Sequence, residues 1–209
     1  MSERRPSMVV VAGPNGSGKT TLTRLVLKHE WTAGHSYINA DEIAQAEFGD
    51  WNSLEAVQNA ARLADRRREE CLTHGRNFAY ETVFSTQRHL DLIRRAKRAG
   101  WFIRLYFVGT SDPEINIRRI AERVAQGGHD VPSNKVRERY VRSILNLQDA
   151  LRLVDRGYVF DNSLDHQLWK RWVRTRDGEI VKALDGPMPD WIEEAVTAPE
   201  PERGTDLAP

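Results

Sequence analysis

The stretch GPNGSGKTT, Gly13 to Thr21, decides the reading of this chain. The pattern G-x-x-x-x-G-K-[ST] is met by Gly13, Gly18, Lys19 and Thr20. Glycines leave room for backbone N–H groups to turn inward and form an anion-binding nest. Just before it, SMVVVA is a short β-branched run that reads as a buried strand. Just after it, Leu22, Leu25 and Val26 recur at helical spacing. A helix that starts inside the loop points the positive end of its dipole at the same anion. Gly13, Pro14, Asn15, Gly16, Ser17, Gly18, Lys19, Thr20 and Thr21 are therefore assigned to nucleotide phosphates. Lys19 reaches the β- and γ-phosphates, and the Thr20 hydroxyl ligates Mg²⁺.

Working outward, short strands are expected at SYIN, NFAYE, FIRLYFVG and GYVFD. Helical patterns separate them at about residues 41–48, 53–74, 86–99, 113–126 and 133–154. Strands alternating with helices imply an α/β fold of the P-loop NTPase type: three layers, a mostly parallel sheet, and helices on both faces. Near the end, a D-G turn between alternating apolar residues in HQLWKRWVRTRDGEIVKAL predicts a C-terminal β-hairpin. The expected organisation is a flexible N-terminus over 1–7, one domain over 8–196 and a frayed Pro-rich tail over 197–209. A helical lid is expected at about 113–150.

The totals fit one domain: 209 residues, 40% hydrophobic and 29% charged. Lys+Arg number 31 against Asp+Glu 30, so no global field draws in nucleic acid or a membrane surface. A small phosphorylated ligand met by local arginines suits that balance. The single Cys71 excludes an intrachain disulfide framework and fits a reducing, cytoplasmic setting. Cys71 falls on an apolar stripe with Val57, Ala60, Ala61 and Ala64, as a core residue rather than a nucleophile. Arg66, Arg67 and Arg68 fall on the solvated side of that helix.

The loop alone leaves several machines open. NKVR at Asn134 has Arg137 where a guanine-specifying aspartate belongs, no L-S-G-G-Q signature occurs, and the loop is not G-x-G-x-x-G. A small kinase remains, which needs a carboxylate beside the acceptor, an acceptor site and arginines for the transferred phosphoryl group. Asp41 in YINADEIA lies where a strand gives way to a helix, so it can accept the acceptor's proton or cap the helix, a task Asn39 could equally perform. Glu81 interrupts an apolar strand at its C-terminal end, with Thr82 beside it; it can hold a Mg²⁺ water, bond the acceptor, or merely meet solvent. Arg119 and Arg123 share one flank of the helix whose apolar stripe is Ile117, Ile120, Ala121 and Val124. In the next helix Val136, Tyr140, Ile144, Leu147, Leu151 and Val154 form the stripe, and Arg139, Arg142 and Asn146 share a polar edge. The Gly-Gly loop between them, with His129, reads as a hinge that lets arginines close over phosphate. No His/Cys cluster has zinc spacing.

Taken together, GPNGSGKTT, YINADEIA, FAYETVFST, RVAQGGHDVP and YVFDNS resemble the zeta-toxin family of P-loop kinases over roughly Met8 to Ser163, especially its short single-domain members. The resemblance implies transfer of phosphate from ATP or GTP, with Mg²⁺, to a sugar hydroxyl of UDP-N-acetylglucosamine or a related nucleotide sugar. It implies that Asp41 acts as the base, that Glu81 contacts the acceptor, and that Lys19, Arg123 and Arg139 steady the phosphates. It also implies a small antitoxin partner. The lid sequence GGHDVP and the short C-terminal region depart from the larger toxins, and no uridine pocket can be traced. Other acceptors (an antibiotic, a nucleotide, NAD or a polynucleotide 5′ end) and a non-kinase, ATP-hydrolysing regulatory module stay open.

Overall fold

A computed structural model describes residues 5–49, 53–128, 130–165, 167 and 169–197. Seven strands form one sheet in the order β2-β3-β1-β4-β5-β6-β7. The strands are β1 (Ser7–Ala12), β2 (Ser36–Ile38), β3 (Phe78–Thr82), β4 (Phe102–Gly109), β5 (Arg156–Asp161), β6 (Lys170–Arg176) and β7 (Glu179–Ala183). Pairings among the first five are parallel, whereas β6 and β7 add on antiparallel as the expected hairpin. Its turn places Asp177 and Gly178 at φ 49° and 89°, as a tight two-residue hairpin turn requires.

The helices are α1 (Lys19–Val26), α2 (Ala40–Phe48), α3 (Leu54–Thr73), α4 (Gln87–Arg98), α5 (Pro113–Ala125), α6 (Ser133–Leu153) and α7 (Asp190–Thr197). Five helices pack on one sheet face. Ile43, Ala60, Leu90, Leu147 and Ile192 from α2, α3, α4, α6 and α7 meet Met8, Val10, Tyr80, Leu105 and Phe107 there. Among the described residues the other face is covered by α1, through Leu22 and Val26 over Val9, Val11 and Val108, and by Trp31 of a short 3-10 turn and Trp169. The three-layer arrangement is thus complete on one side and partial on the other.

Several sequence expectations change. The buried stripe of α3 is Ala56, Ala60, Ala64, Arg68 and Cys71, while Ala61 faces solvent. Arg68 is buried, not solvated: it stacks on the Tyr80 ring at 5.0 Å and bonds Asp65, which satisfies its charge as its stem fills the core. In α5 only Ile120 of the apolar stripe is fully buried, clustering with Val131 and Val136, and Ala121 and Val124 are exposed. The α6 stripe is buried as expected, but Asn146 leaves the polar edge and donates to Phe84 O at 2.8 Å. Much of α6 therefore belongs to the core. At the start of the described residues, Arg5 donates to Gly100 O at 2.7 Å, Pro6 O accepts from Phe102 N, and Ser7 opens β1. The helix α7 is unanticipated; Trp191, Ile192 and Ala195 bury its inner side. His129 and the tail from residue 198 lie outside the described residues.

Candidate active site

The glycine loop is wedged between its neighbours. Gly13 has φ 146°, and a Cβ there would sit 2.0 Å from Val108 O. Gly18 has φ 95°, and its Cβ would meet Asn162 Nδ2 at 2.6 Å. Only glycine fits either position. Two asparagines pin the loop from neighbouring elements. Asn116 of α5 donates to Asn15 O at 2.7 Å, and its own carbonyl accepts from Thr110. Asn162, just past β5, donates to Ser17 O at 2.9 Å. Gly13 N donates to Thr82 O at 3.3 Å, which ties the loop to β3.

Lys19 and Thr20 open α1. The Lys19 ammonium donates to Pro14 O at 2.8 Å. Burial lowers its pKa, the carboxylates of Glu81 and Asp41 partly oppose that, and Arg123 adds to the lowering. The sheet order puts Glu81 on the strand beside β1, and Asp41 one strand further out, after β2. All three groups sit at the C-terminal edge of the parallel strands, where α/β sheets bind ligands.

Glu81 is the hub of this edge. Its Oε1 accepts from Thr20 Oγ1 at 3.2 Å, and its Oε2 accepts from Thr23 Oγ1 at 2.8 Å and from Tyr37 OH at 3.5 Å. Asn39 donates to Tyr37 OH at 2.9 Å and, through Oδ1, accepts from Asp41 N at 2.9 Å. Asn39 is therefore the cap of α2, and the exposed Asp41 carboxylate is left for other work. Burial together with the charge of Glu81 pushes the Tyr37 phenol up, and burial and Glu81 raise Glu42 as well. Burial is the larger cause in both, and the Glu81 charge adds to it. No group of three or more His, Cys, Asp or Glu side chains with metal-holding geometry occurs among the described residues. The Thr20 hydroxyl beside the Glu81 carboxylate is a donor set that would suit Mg²⁺, which keeps waters and takes few protein ligands.

Thr82 behaves differently from its neighbour. Its hydroxyl lies 2.8 Å from His89 Nε2 and accepts from Phe84 N at 3.0 Å. Phe84 stands at φ 63°, a left-handed conformation rare for a bulky residue, and the Thr82 bond helps to hold it there. Thr82 therefore shapes the turn after β3. Arg139 places Nη1 3.5 Å from Asn15 Oδ1, beside the phosphate loop. Arg123 is exposed at the end of α5 and adds positive potential at Lys19. Arg119 is turned to the loop after β5, donating to Asn162 O at 2.8 Å and pairing with Asp165 at 2.9 Å. Arg142 pairs with Glu138.

Sequence reasoning did not single out Thr23, Tyr37, Asn116 or Asn162. Thr23 was within reach, since residues three apart share a helix face with Thr20. The other three depend on which strands are neighbours, and carry no local signal.

The zeta toxin family profile matches residues 1–171. The chain belongs to the zeta-toxin family. It is 30% identical over 132 residues to an uncharacterised Haemophilus influenzae protein, covering 63% of this chain and 91% of that one. Among solved structures, the AvrRxo1-ORF1:-ORF2 complex with ATP aligns at TM-score 0.65 and 19% identity, covering 99% of this chain and 68% of that one. The PezAT toxin–antitoxin system of Streptococcus pneumoniae aligns at 0.57 and 18%, covering 77% and 69%. A putative kinase from Chloroflexus aurantiacus aligns at 0.51 and 17%, covering 67% and 79%. The structural likenesses show a shared P-loop kinase fold, and the family supports an ATP-dependent, kinase-like activity.

Proposed function

We propose that this zeta-toxin family member transfers the γ-phosphate of ATP to an acceptor hydroxyl, on a UDP-activated amino sugar. The observation that carries the reading is the placement of Lys19, Thr20, Glu81 and Asp41 along one sheet edge, with Arg139 beside the same loop. Backbone amides of residues 13–18 and the Lys19 ammonium hold the β- and γ-phosphates. Thr20 and Glu81 would hold Mg²⁺, which would supply charge neutralisation for the phosphates. Asp41 takes the acceptor's proton as its oxygen bonds to the γ-phosphorus. The bond from that phosphorus to the bridging oxygen breaks, and ADP leaves. Arg139 and Arg123, the latter carried on a lid formed by α5 and the start of α6, offset the charge on the moving group.

The amino-sugar acceptor rests on family membership. So do GTP as a second donor and a small antitoxin protein as partner. No helix among the described residues is long and apolar enough to cross a membrane, and a cytoplasmic setting accords with the buried thiol of Cys71. Incubation with γ-labelled ATP, Mg²⁺ and a panel of UDP-sugars is expected to yield a phosphorylated sugar nucleotide. Label appearing on another small molecule would move the acceptor assignment. Release of inorganic phosphate alone, whatever is offered, would replace the kinase by a hydrolytic switch.

A further inference from the structure

The sheet face that α1 only partly covers carries a groove of about 380 Å³ between the end of α1 and β6. Tyr106 and Tyr158 form its floor; Leu25, Trp31, Arg104, Arg171 and Arg174 are among the residues around it, and no acidic side chain lines it. None of these three arginines has a carboxylate partner among the described residues, although Arg67, Arg95, Arg118 and Arg137 elsewhere on the surface do. Arg174 Nε is a buried donor without an acceptor among the described residues.

The rings constrain what can bind. Trp31 stacks on Tyr106 at 5.8 Å and Tyr106 on Tyr158 at 4.6 Å. Arg104 lies over Trp31 at 4.6 Å and over Phe102 at 4.5 Å, His29 stacks on Trp31 at 5.0 Å, and Arg174 lies over Tyr158 at 5.9 Å. Each ring of the stack has ring or cation neighbours, which disfavours nucleobases seeking free faces. A second copy of this chain would set like charges against one another across an isologous contact. The strip runs from β4 across β5 to β6, two strand spacings or about 10 Å, which is close to the width of one α-helix. Leu25, 47% exposed, adds an apolar rim.

We infer that this face docks an acidic amphipathic helix of a partner protein, with carboxylates on Arg104, Arg171 and Arg174 and apolar side chains on Leu25 and the tyrosine edges. The surface lies along the far half of α1 from the phosphate loop, so the partner and ATP bind together. It stands independently of the acceptor assignment.

The test uses the full chain and a labelled designed peptide, an acidic amphipathic helix with Glu on one face and Leu on the other. Controls are a scrambled peptide of the same composition and a thymidine oligonucleotide. Saturable binding by the amphipathic peptide is expected in fluorescence anisotropy, at least about tenfold tighter than the scrambled control and weakening with salt. Arg171→Glu and Leu25→Asp, both at exposed positions, are each expected to weaken it about tenfold while ATP affinity and the unfolding midpoint stay unchanged. Amide shifts in NMR titration should cluster at residues 25, 104, 158 and 171. Absence of binding, equal binding of the scrambled peptide, preference for the oligonucleotide, or self-association abolished by Arg171→Glu would each overturn the inference.

Discussion

Asp41 and Glu81 have opposite surroundings, and that difference separates their roles. Glu81 is bound by three hydroxyls, whereas Asp41 is exposed and relieved of capping by Asn39. Under the proposed reading, Asp41→Asn removes the proton acceptor and leaves the loop intact. Transfer is expected to fall by at least about a hundredfold with ATP affinity unchanged, checked by turnover beside equilibrium titration. Undiminished turnover would remove Asp41 from the mechanism. Glu81→Gln keeps the shape but removes the charge beside Thr20, so the Mg²⁺ concentration for half-maximal rate should rise severalfold, while nucleotide affinity measured without metal stays the same. The glycine loop, Lys19 and both acids were legible in the sequence because each belongs to a short contiguous pattern. The Thr23 and Tyr37 contacts of Glu81 were not, because they join α1, β2 and β3 across a sheet whose order is set by long-range pairing.

At the scale of elements, the sequence located the strands and the long helices to within a residue or two, since the central strands are short continuous apolar runs buried on both faces and the helices bury a stripe that repeats every 3.6 residues. It failed where a polar residue is buried by a specific partner, as at Arg68 and Asn146, and in α7, which is too short to show a sustained repeat. The turn after β3 shows what such partners do. Ser143 and Asn146 of α6 donate to Val83 O and Phe84 O, each at 2.8 Å, while Thr82 is backed by His89. Burial, with Arg68 and Arg88 nearby and only Asp65 opposing, depresses the His89 pKa to about 4. The unfolded chain therefore binds more protons than the folded one between about pH 4 and 6.5, and stability rises with pH across that window. The contribution is full above pH 6.5 and lost as pH falls towards 4, by at most about 3 kcal/mol. Urea unfolding of His89→Gln, with an amide able to face Thr82, should show a smaller loss than the parent between those pH values. Parallel curves would mean that His89 does not titrate on unfolding.

Across the whole molecule, the C-terminal helix reaches back to the phosphate loop through one tryptophan. Trp191 is buried against Phe107, with ring centroids 6.1 Å apart, and its indole covers Gly109, where a Cβ would come within 2.6 Å of the ring. Its Nε1 donates to Asp161 at 3.0 Å. Asp161 ends β5, and the next residue, Asn162, holds Ser17 of the loop. Nothing local in DWIEEAVT announces this chain of contacts, since α7 meets β4 and β5 from far along the sequence. Trp191→Ala should cost about 3–5 kcal/mol of unfolding free energy, the usual loss for a buried aromatic. It should also free the end of β5, so ATP affinity falls although residue 191 is remote from the nucleotide. Trp191→Phe separates the two effects. It keeps most of the packing and loses one hydrogen bond, worth about 1 kcal/mol. If α7 acts on the loop through the Asp161 bond, Trp191→Phe weakens ATP nearly as much as Trp191→Ala while unfolding at a midpoint close to the parent. If packing alone matters, ATP affinity tracks stability across the three proteins. Paired denaturation and nucleotide titrations distinguish the two, and the second outcome would reduce α7 to a support of the core.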